Sequence, residues 1–136
     1  MASWLKLVGK ADWQVSEHWV MERSDLLREI RFSERNAPTP IQRRDHLVYH
    51  AVGHQRLIAV VVVVSEQARY DATLEWEKQW PLVLDVQPVL KVGRVSQGPL
   101  TSTLGLRQDL AHQSFLPLRQ PEYERAVEAL RAAGAR

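Results

Sequence analysis

The chain has 136 residues, no cysteine and a formal net charge of +2 at pH 7. This length predicts a single domain, residues 1–136, that can bury a core of its own. The lack of cysteine excludes disulfides, thiolate metal sites and a cysteine nucleophile. The small net charge excludes a histone-like polycation, whereas a pI of about 9.2 is compatible with a polyanionic partner.

The first part of the chain combines short strands with one predicted helix. Ser3 to Val8 is an apolar stretch that predicts the first strand, with a turn over residues 9–12. Ser24 and Asp25 are placed to cap a helix over about residues 26–31. The prolines of the following segment, residues 36–40, exclude a helix interior and indicate a loop.

The centre of the predicted fold is the segment from Gln55 to Ser65. All residues from Leu57 to Val64 are apolar, and the last five of them are valine. Such a run favours a strand with both faces covered, although a buried helix of this length is an alternative. Because an apolar edge strand aggregates, we expect neighbours on both sides, as in a closed or nearly closed barrel. Residues 46–51 predict the strand that forms a hairpin with it.

The remaining elements complete an α+β fold. Residues 69–80 predict a loop or an irregular strand, and residues 80–92 a strand in which Pro88 implies an edge or a bulge. Residues 106–112 can form a helical turn, and residues 113–118 a last strand. An amphipathic helix follows, with Pro121 in its first turn and Gly134 at its end. We therefore predict a mixed β-barrel with peripheral helices and a C-terminal helix.

Catalytic and metal-binding motifs are absent from the sequence. His46, His50 and His54 are four apart, but on a strand and turn only the first two share a side, and no carboxylate pattern completes a metal site. Asp45 and His46 are neighbours on a strand and point to opposite faces, which argues against a triad. We predict a protein that is not an enzyme and needs no cofactor.

The beginning of the sequence lacks the long apolar segment of a signal peptide, and the valine run is too short to span a bilayer. These features predict a cytoplasmic protein without a membrane partner.

Arginine and tryptophan supply the signals for binding. The segment from Arg28 to Asp45 contains five arginines and three acidic residues. Of these we predict phosphate contacts from Arg28, Arg31, Arg43 and Arg44, although an ordinary solvated surface is the alternative. The five tryptophans of the chain either pack in the core or line a pocket for a flat ring, in which stacking and a few hydrogen-bonding edges hold a splayed-out base.

Five blocks of sequence resemble the EVE domain, a relative of the PUA, ASCH and YTH domains in the PUA-like superfamily. These blocks are SWLKL, SERNAPTPIQRRDHLVYHA, RLIAVVVVVSE, WPLVLDVQPVLKV and QSFLPLRQPEYERAVEAL, in the order of the family. The resemblance implies a PUA-like barrel whose pocket accepts a nucleobase, often a modified one, from DNA or RNA. The implied pocket residues are Trp4, Trp13, Arg35, Asn36, Tyr49, His50 and Trp80.

The chain also departs from the family pattern. Leu7-Val8-Gly9-Lys10 stands where many relatives carry Lys-Ser-Glu-Pro. The family also has a tryptophan before its Arg-Asn pair, whereas this chain has Leu26 nearest to that position. The ring of Trp13 or Trp19 can take the place of the missing tryptophan. Asn36 either caps its own turn or faces the edge of a base. Two functions therefore remain open: a nucleic-acid reader, or a non-catalytic protein-interaction or structural domain with a vestigial pocket.

Overall fold

The structure, a computed structural model, describes residues 1–9, 13–19, 24–34, 39–106 and 115–136. Its strands are β1 (Ser3–Val8), β2 (Glu29–Phe32), β3 (His46–Ala51), β4 (Arg56–Val63), β5 (Arg69–Tyr70), β6 (Leu82–Lys91) and β7 (Phe115–Leu118). The α-helix among the described residues is α1 (Gln120–Ala132), and 3₁₀ turns lie at Ser24–Leu27, Glu75–Gln79, Val95–Gln97 and Thr101–Leu104.

These strands form one mixed sheet that curls into a half-barrel. In the described part of the chain the order is β2-β6-β4-β3-β1-β7, with β5 also paired to β6. β1 and β3 are parallel, and the other pairs are antiparallel. Phe32 of β2 stacks on Phe115 of β7 with ring centroids 5.0 Å apart, so the two ends of the strand order meet. The predicted α+β barrel-like architecture is confirmed.

The valine segment is an interior strand, as predicted. β4 pairs with β3 on one edge and with β6 on the other. Residues 57–61 have no exposed surface and Val63 is 1% exposed, while Val62 is partly exposed. Because β3 and β6 occupy both of its edges, this strand has no free edge for another chain, which removes the aggregation hazard of its sequence.

The predicted bulge at Pro88 is present. Val60 pairs with Leu90 and Val61 pairs with Pro88, so Val89 has no partner of its own in β4. Proline has no N–H to donate to the ladder, and a bulge lets the strand continue past it.

The predicted helix over residues 26–31 is wrong. A 3₁₀ turn covers Ser24–Leu27, and β2 begins at Glu29 and pairs antiparallel with β6. Ile30 and Phe32 are buried and alternate with Glu29 and Arg31, which is the period of a strand. The predicted irregular region at 69–80 consists of β5 and the 3₁₀ turn at Glu75–Gln79. The helical turn predicted at 106–112 falls, after Leu106, outside the described residues.

Helix α1 closes one face of the sheet. Pro121 lies in its first turn, and Gly134, two residues past its end, has a φ of +89°, both as the sequence predicts. Ala126 and Leu130 are fully buried, and the ring of Tyr123 meets that of His46 in β3 at 5.4 Å. Among the described residues, no helix has the length and apolar character needed to cross a membrane.

Candidate nucleic-acid interface

The curled sheet encloses an interior face opposite the face that α1 covers. Tyr49 lies three residues after His46 on β3 and therefore points away from α1. Lys6 is paired with Tyr49 across β1 and β3 and with Phe115 across β1 and β7, and paired residues share a face. Lys6, Tyr49, Phe115 and the stacked Phe32 thus define the interior face.

The Lys6 side chain is partly buried and carries its amine on this interior face. Its Nζ lies 4.7 Å from the centroid of the Phe115 ring and donates a hydrogen bond to the Leu7 carbonyl oxygen at 3.3 Å. Burial lowers the pKa of the Lys6 amine from 10.5 to about 8. Sequence analysis treated Lys6 only as an interruption of the first strand. A lysine within the apolar run SWLKLV was the available signal that a charge lies in the barrel.

We expect Lys6→Met to stabilise the protein at neutral pH. The unfolded lysine holds its proton up to a higher pH than the folded one, so the stability of the wild-type protein rises with pH between about 8 and 10.5. Below pH 8 the charged Lys6 lowers the free energy of unfolding by about 3 kcal/mol relative to the neutral amine. Methionine fills a similar volume without a charge. Urea unfolding of both proteins at several pH values measures their free energies of unfolding. The difference between Lys6→Met and the wild-type protein should be largest at pH 7 and should shrink towards pH 10. A constant gap, or a destabilised variant, would contradict a buried unpaired amine.

Tyr49 and Trp19 belong to the core. Both are 0% exposed, and their ring centroids lie 6.4 Å apart. The Tyr49 hydroxyl donates to the Leu26 carbonyl oxygen at 2.6 Å, and burial, with a smaller contribution from Asp25, raises its pKa. The Tyr49 ring offers no exposed face for stacking, so its predicted place in the pocket is limited to shaping the wall behind a ligand. Trp19, the suggested replacement ring, is equally enclosed.

Trp4 is held by a buried carboxylate. Its indole Nε1 donates to Asp45 Oδ2 at 3.1 Å, and Asp45 also accepts from the backbone N–H groups of Ala2 and Gln42, both at 2.9 Å. Trp4 lies two residues before Lys6 on β1 and therefore on the interior face, partly buried. The structure thus orients Trp4 through its polar edge and leaves part of its surface accessible.

His50 is a structural residue in this fold. It is 2% exposed, its Nδ1 lies 2.7 Å from Thr101 Oγ1, and its Nε2 lies 2.9 Å from Gln55 Oε1. Burial lowers its pKa and favours the neutral ring. Both ring nitrogens already bond to the protein, and the predicted place of His50 in the base-binding pocket stays a prediction. No group of three or more potential metal-ligating side chains occurs among the described residues.

The remaining predicted pocket residues are only partly placed. Trp13 is 42% exposed, and Trp80 is partly buried at the end of the 3₁₀ turn at Glu75–Gln79. Arg35 and Asn36 lie outside the described residues, so their predicted place beside the base stays a prediction.

Arg31 is not a free phosphate contact, which corrects the prediction. Its Nε donates to Glu29 Oε1 at 3.0 Å, its Nη1 to the carbonyl oxygens of Asp71 (2.8 Å) and Trp80 (3.2 Å), and its Nη2 to Glu77. The side chain is 10% exposed, and its guanidinium lies 5.3 Å from the centroid of the Trp76 ring. Arg31 therefore fastens the segment from Asp71 to Trp80 to the outer face of β2.

The other three predicted phosphate contacts are exposed at one end of the sheet. The Val86 N–H donates to the Arg28 carbonyl oxygen, the Arg44 N–H donates to the Val63 carbonyl oxygen, and Val63 pairs with Val86. Arg28 and Arg44 thus stand at the two ends of one backbone row, with Arg43 beside Arg44. Arg43 forms an exposed ion pair with Glu66 at 3.0 Å. These three arginines are named the arginine row below.

Comparisons with known proteins identify the fold. No protein-family model matches the chain, and no curated protein sequence matches it. Among solved structures, the Mmi1 YTH domain in complex with RNA matches with a TM-score of 0.62 at 7% identity, over 97% of this chain and 79% of that chain. The YTH domain of Zygosaccharomyces rouxii MRB1, in complex with N6-methyladenosine RNA, matches with a TM-score of 0.57 at 10% identity, over 93% of this chain and 84% of that chain.

Protein Atu2648 from Agrobacterium tumefaciens matches with a TM-score of 0.58 at 16% identity, over 98% of this chain and 94% of that chain. These likenesses show the fold: the chain has a YTH-like α+β fold, a curled mixed half-barrel sheet with a C-terminal helix, which agrees with the fold that the sequence predicts.

Proposed function

We propose that this protein is a nucleic-acid-binding module that accommodates one extruded nucleobase, modified or unmodified, on the interior face of its half-barrel. The observation that carries the proposal is the match of nearly the whole chain to YTH domains solved with RNA, one of them with N6-methyladenosine RNA. The proposal includes a non-catalytic role and a cytoplasmic location, and the latter rests on the sequence alone.

The composition of the interior face supports this proposal. It combines the rings of Trp4 and Phe115 with the Lys6 amine. An aromatic surface with a few polar groups suits a flat ring that carries hydrogen-bonding edges.

The arginine row supplies the charge that a nucleic-acid backbone requires. In the described part of the chain, Arg28 and Arg44 are exposed and form no ion pair with a carboxylate. Among the described residues, Arg43 has one ion pair, the exposed pair with Glu66, and a phosphate can replace Glu66 at little cost because such surface pairs are weak. We therefore assign backbone contacts to Arg28, Arg43 and Arg44, without Arg31.

Binding to a single strand should weaken with salt. If the arginine row neutralises three phosphates, the log–log slope of the binding constant against salt concentration should be about −2. Arg43→Ala together with Arg44→Ala should reduce its magnitude to about 0.7, because two phosphate contacts are lost. Fluorescence anisotropy with labelled oligonucleotides at several salt concentrations measures both slopes.

The matched control for this experiment is the pair Arg125→Ala and Arg131→Ala on α1. Both residues are exposed, and their removal changes the net charge by the same amount. This control should leave the slope near that of the wild-type protein. Equal losses in the two double variants would indicate a general charge effect, and the absence of binding at every salt concentration would overturn the proposed function.

A second candidate function is a protein-interaction domain. Tyr70, Leu74 and Trp76 are 68%, 55% and 48% exposed and lie within one short segment. Exposed apolar groups so close together are a feature of protein-binding surfaces. Absence of binding to any oligonucleotide, combined with an intact fold, would favour this candidate.

A further inference from the structure

Among the described residues, the Lys6 ammonium has no counter-ion on the interior face: no carboxylate forms an ion pair with it, and its one hydrogen bond goes to the Leu7 carbonyl oxygen. Asp45, which immediately precedes β3, already accepts hydrogen bonds from Trp4, Ala2 and Gln42. The Tyr49 hydroxyl donates to the Leu26 carbonyl oxygen. Within the part of the chain that the structure describes, two of the three Lys6 donors therefore have no protein acceptor.

An ammonium in this position is costly unless something compensates for its lost hydration. Buried charges are ordinarily paired, and the ring of Phe115 at 4.7 Å replaces only part of the lost interaction with water. Lysine has three donors and no acceptor, so a suitable partner must present acceptors or a negative charge. Hydrogen bonds between an ammonium and an anionic oxygen are about twice as strong as neutral ones.

We propose that Lys6 selects bases that present an oxygen acceptor, either a carbonyl or a carboxylate, on the edge that faces its amine, over bases that present an amino group or only hydrogen on that edge. This inference rests on the proposed function, because it assigns the specificity of the same site. An exocyclic oxygen accepts from the Lys6 amine, whereas an amino or methylamino group presents a second donor to it. A ligand of this class completes the coordination that the protein leaves open.

A backbone phosphate also offers oxygen acceptors to the Lys6 amine, so the experiment separates an oxygen of the base from an oxygen of the phosphate. Single-stranded oligonucleotides, in an RNA and a DNA series, differ only at the central position, which carries 5-carboxycytosine, uracil, cytosine, N6-methyladenine or an abasic site. We expect the wild-type protein to bind the first two more tightly than the others. Lys6→Met should weaken the 5-carboxycytosine complex by about tenfold and change the cytosine and abasic complexes by less than about twofold.

Lys78→Met is the matched control. The Lys78 side chain is 61% exposed in the 3₁₀ turn at Glu75–Gln79, whose segment lies on the outer face of β2, and its replacement removes the same charge away from the interior face. It should leave the order of preference unchanged. Thermal melting of each variant shows that the fold is intact, and methionine at position 6 preserves the volume of the lysine stem.

A second measurement observes Lys6 without an oligonucleotide. Lysines are labelled by reductive methylation with ¹³C-formaldehyde, and the spectrum of Lys6 is assigned by its loss in Lys6→Met; the chain has four lysines. Addition of 5-carboxycytidine should shift the Lys6 signal and raise its titration midpoint, whereas cytidine should not.

The outcomes are distinguishable. Oligonucleotide binding without preference for an exocyclic oxygen, or an equal loss in Lys6→Met with the abasic strand, overturns the inference and leaves the proposed function standing. Absence of all oligonucleotide binding with a selective shift of the Lys6 signal overturns the proposed function and supports the role of Lys6. Absence of both overturns both.

Discussion

Val61→Asp should abolish cooperative folding. Val61 has no exposed surface in the central strand β4, and β3 and β6 enclose it. The change removes about 1.5 kcal/mol or more of apolar burial and places a carboxyl group at a position with no exposed surface. Together these costs approach the whole stability of a domain of this size, about 5–15 kcal/mol. Circular dichroism melting should show no sigmoidal transition.

Two companion variants make this result interpretable. Val64→Asp introduces the same charge one residue past the end of β4, where the side chain is 37% exposed, and should change stability by about 0.5 kcal/mol or less. Val61→Ala keeps the site apolar and should cost about 2 kcal/mol through the cavity it leaves. A soluble Val61→Asp protein that melts cooperatively would show that this position is not buried.

The second large effect is expected from Arg31→Met. Arg31 is 10% exposed and neutralises Glu29 and Glu77, whose side chains are 23% and 8% exposed. Removal of one partner leaves the enclosed carboxylates unpaired and releases the carbonyl oxygens of Asp71 and Trp80 from their donor. We expect the Tm to fall by on the order of 10 °C. Differential scanning calorimetry measures this change.

Arg69→Met is the control for Arg31→Met. Arg69 belongs to the same charge network, at 2.5 Å from Asp85 and 3.5 Å from Glu29, but its side chain is 45% exposed. An ion pair so accessible to solvent contributes little, so this variant should melt within a few degrees of the wild-type protein. If the two variants were equally stable, Arg31 would not hold the segment after β5.

Local sequence patterns were sufficient for several elements. The strands β1 and β3 were predicted with their observed bounds, and the valine run predicted β4, because strong local preferences and the required tertiary environment agree there. Pro88 likewise predicted its bulge, since a missing N–H has the same effect in any sheet. Helix α1 followed from its apolar period, with proline at one end and glycine at the other.

Residues 26–31 show where local patterns failed. Leu26, Leu27 and Ile30 fit a helical period as well as the observed turn and strand. The free edge of β6 decides between them, because pairing there satisfies the backbone of β2 and places Ile30 and Phe32 in the core. That edge is about fifty residues away in the chain and cannot be seen in a local window.

The sequence by itself determined the central strand β4, the C-terminal helix and the fold class, because the spacing of apolar residues and the residues that form turns are local properties of a chain. Tertiary structure alone decided what the polar residues do. Arg31 and Arg44 are both arginines in one basic segment, yet the first is enclosed by carboxylates and the second is exposed. Lys6 and Tyr49 acquire their roles in the same way, because the burial and hydrogen bonds that set the state of a polar group come from strands distant in sequence.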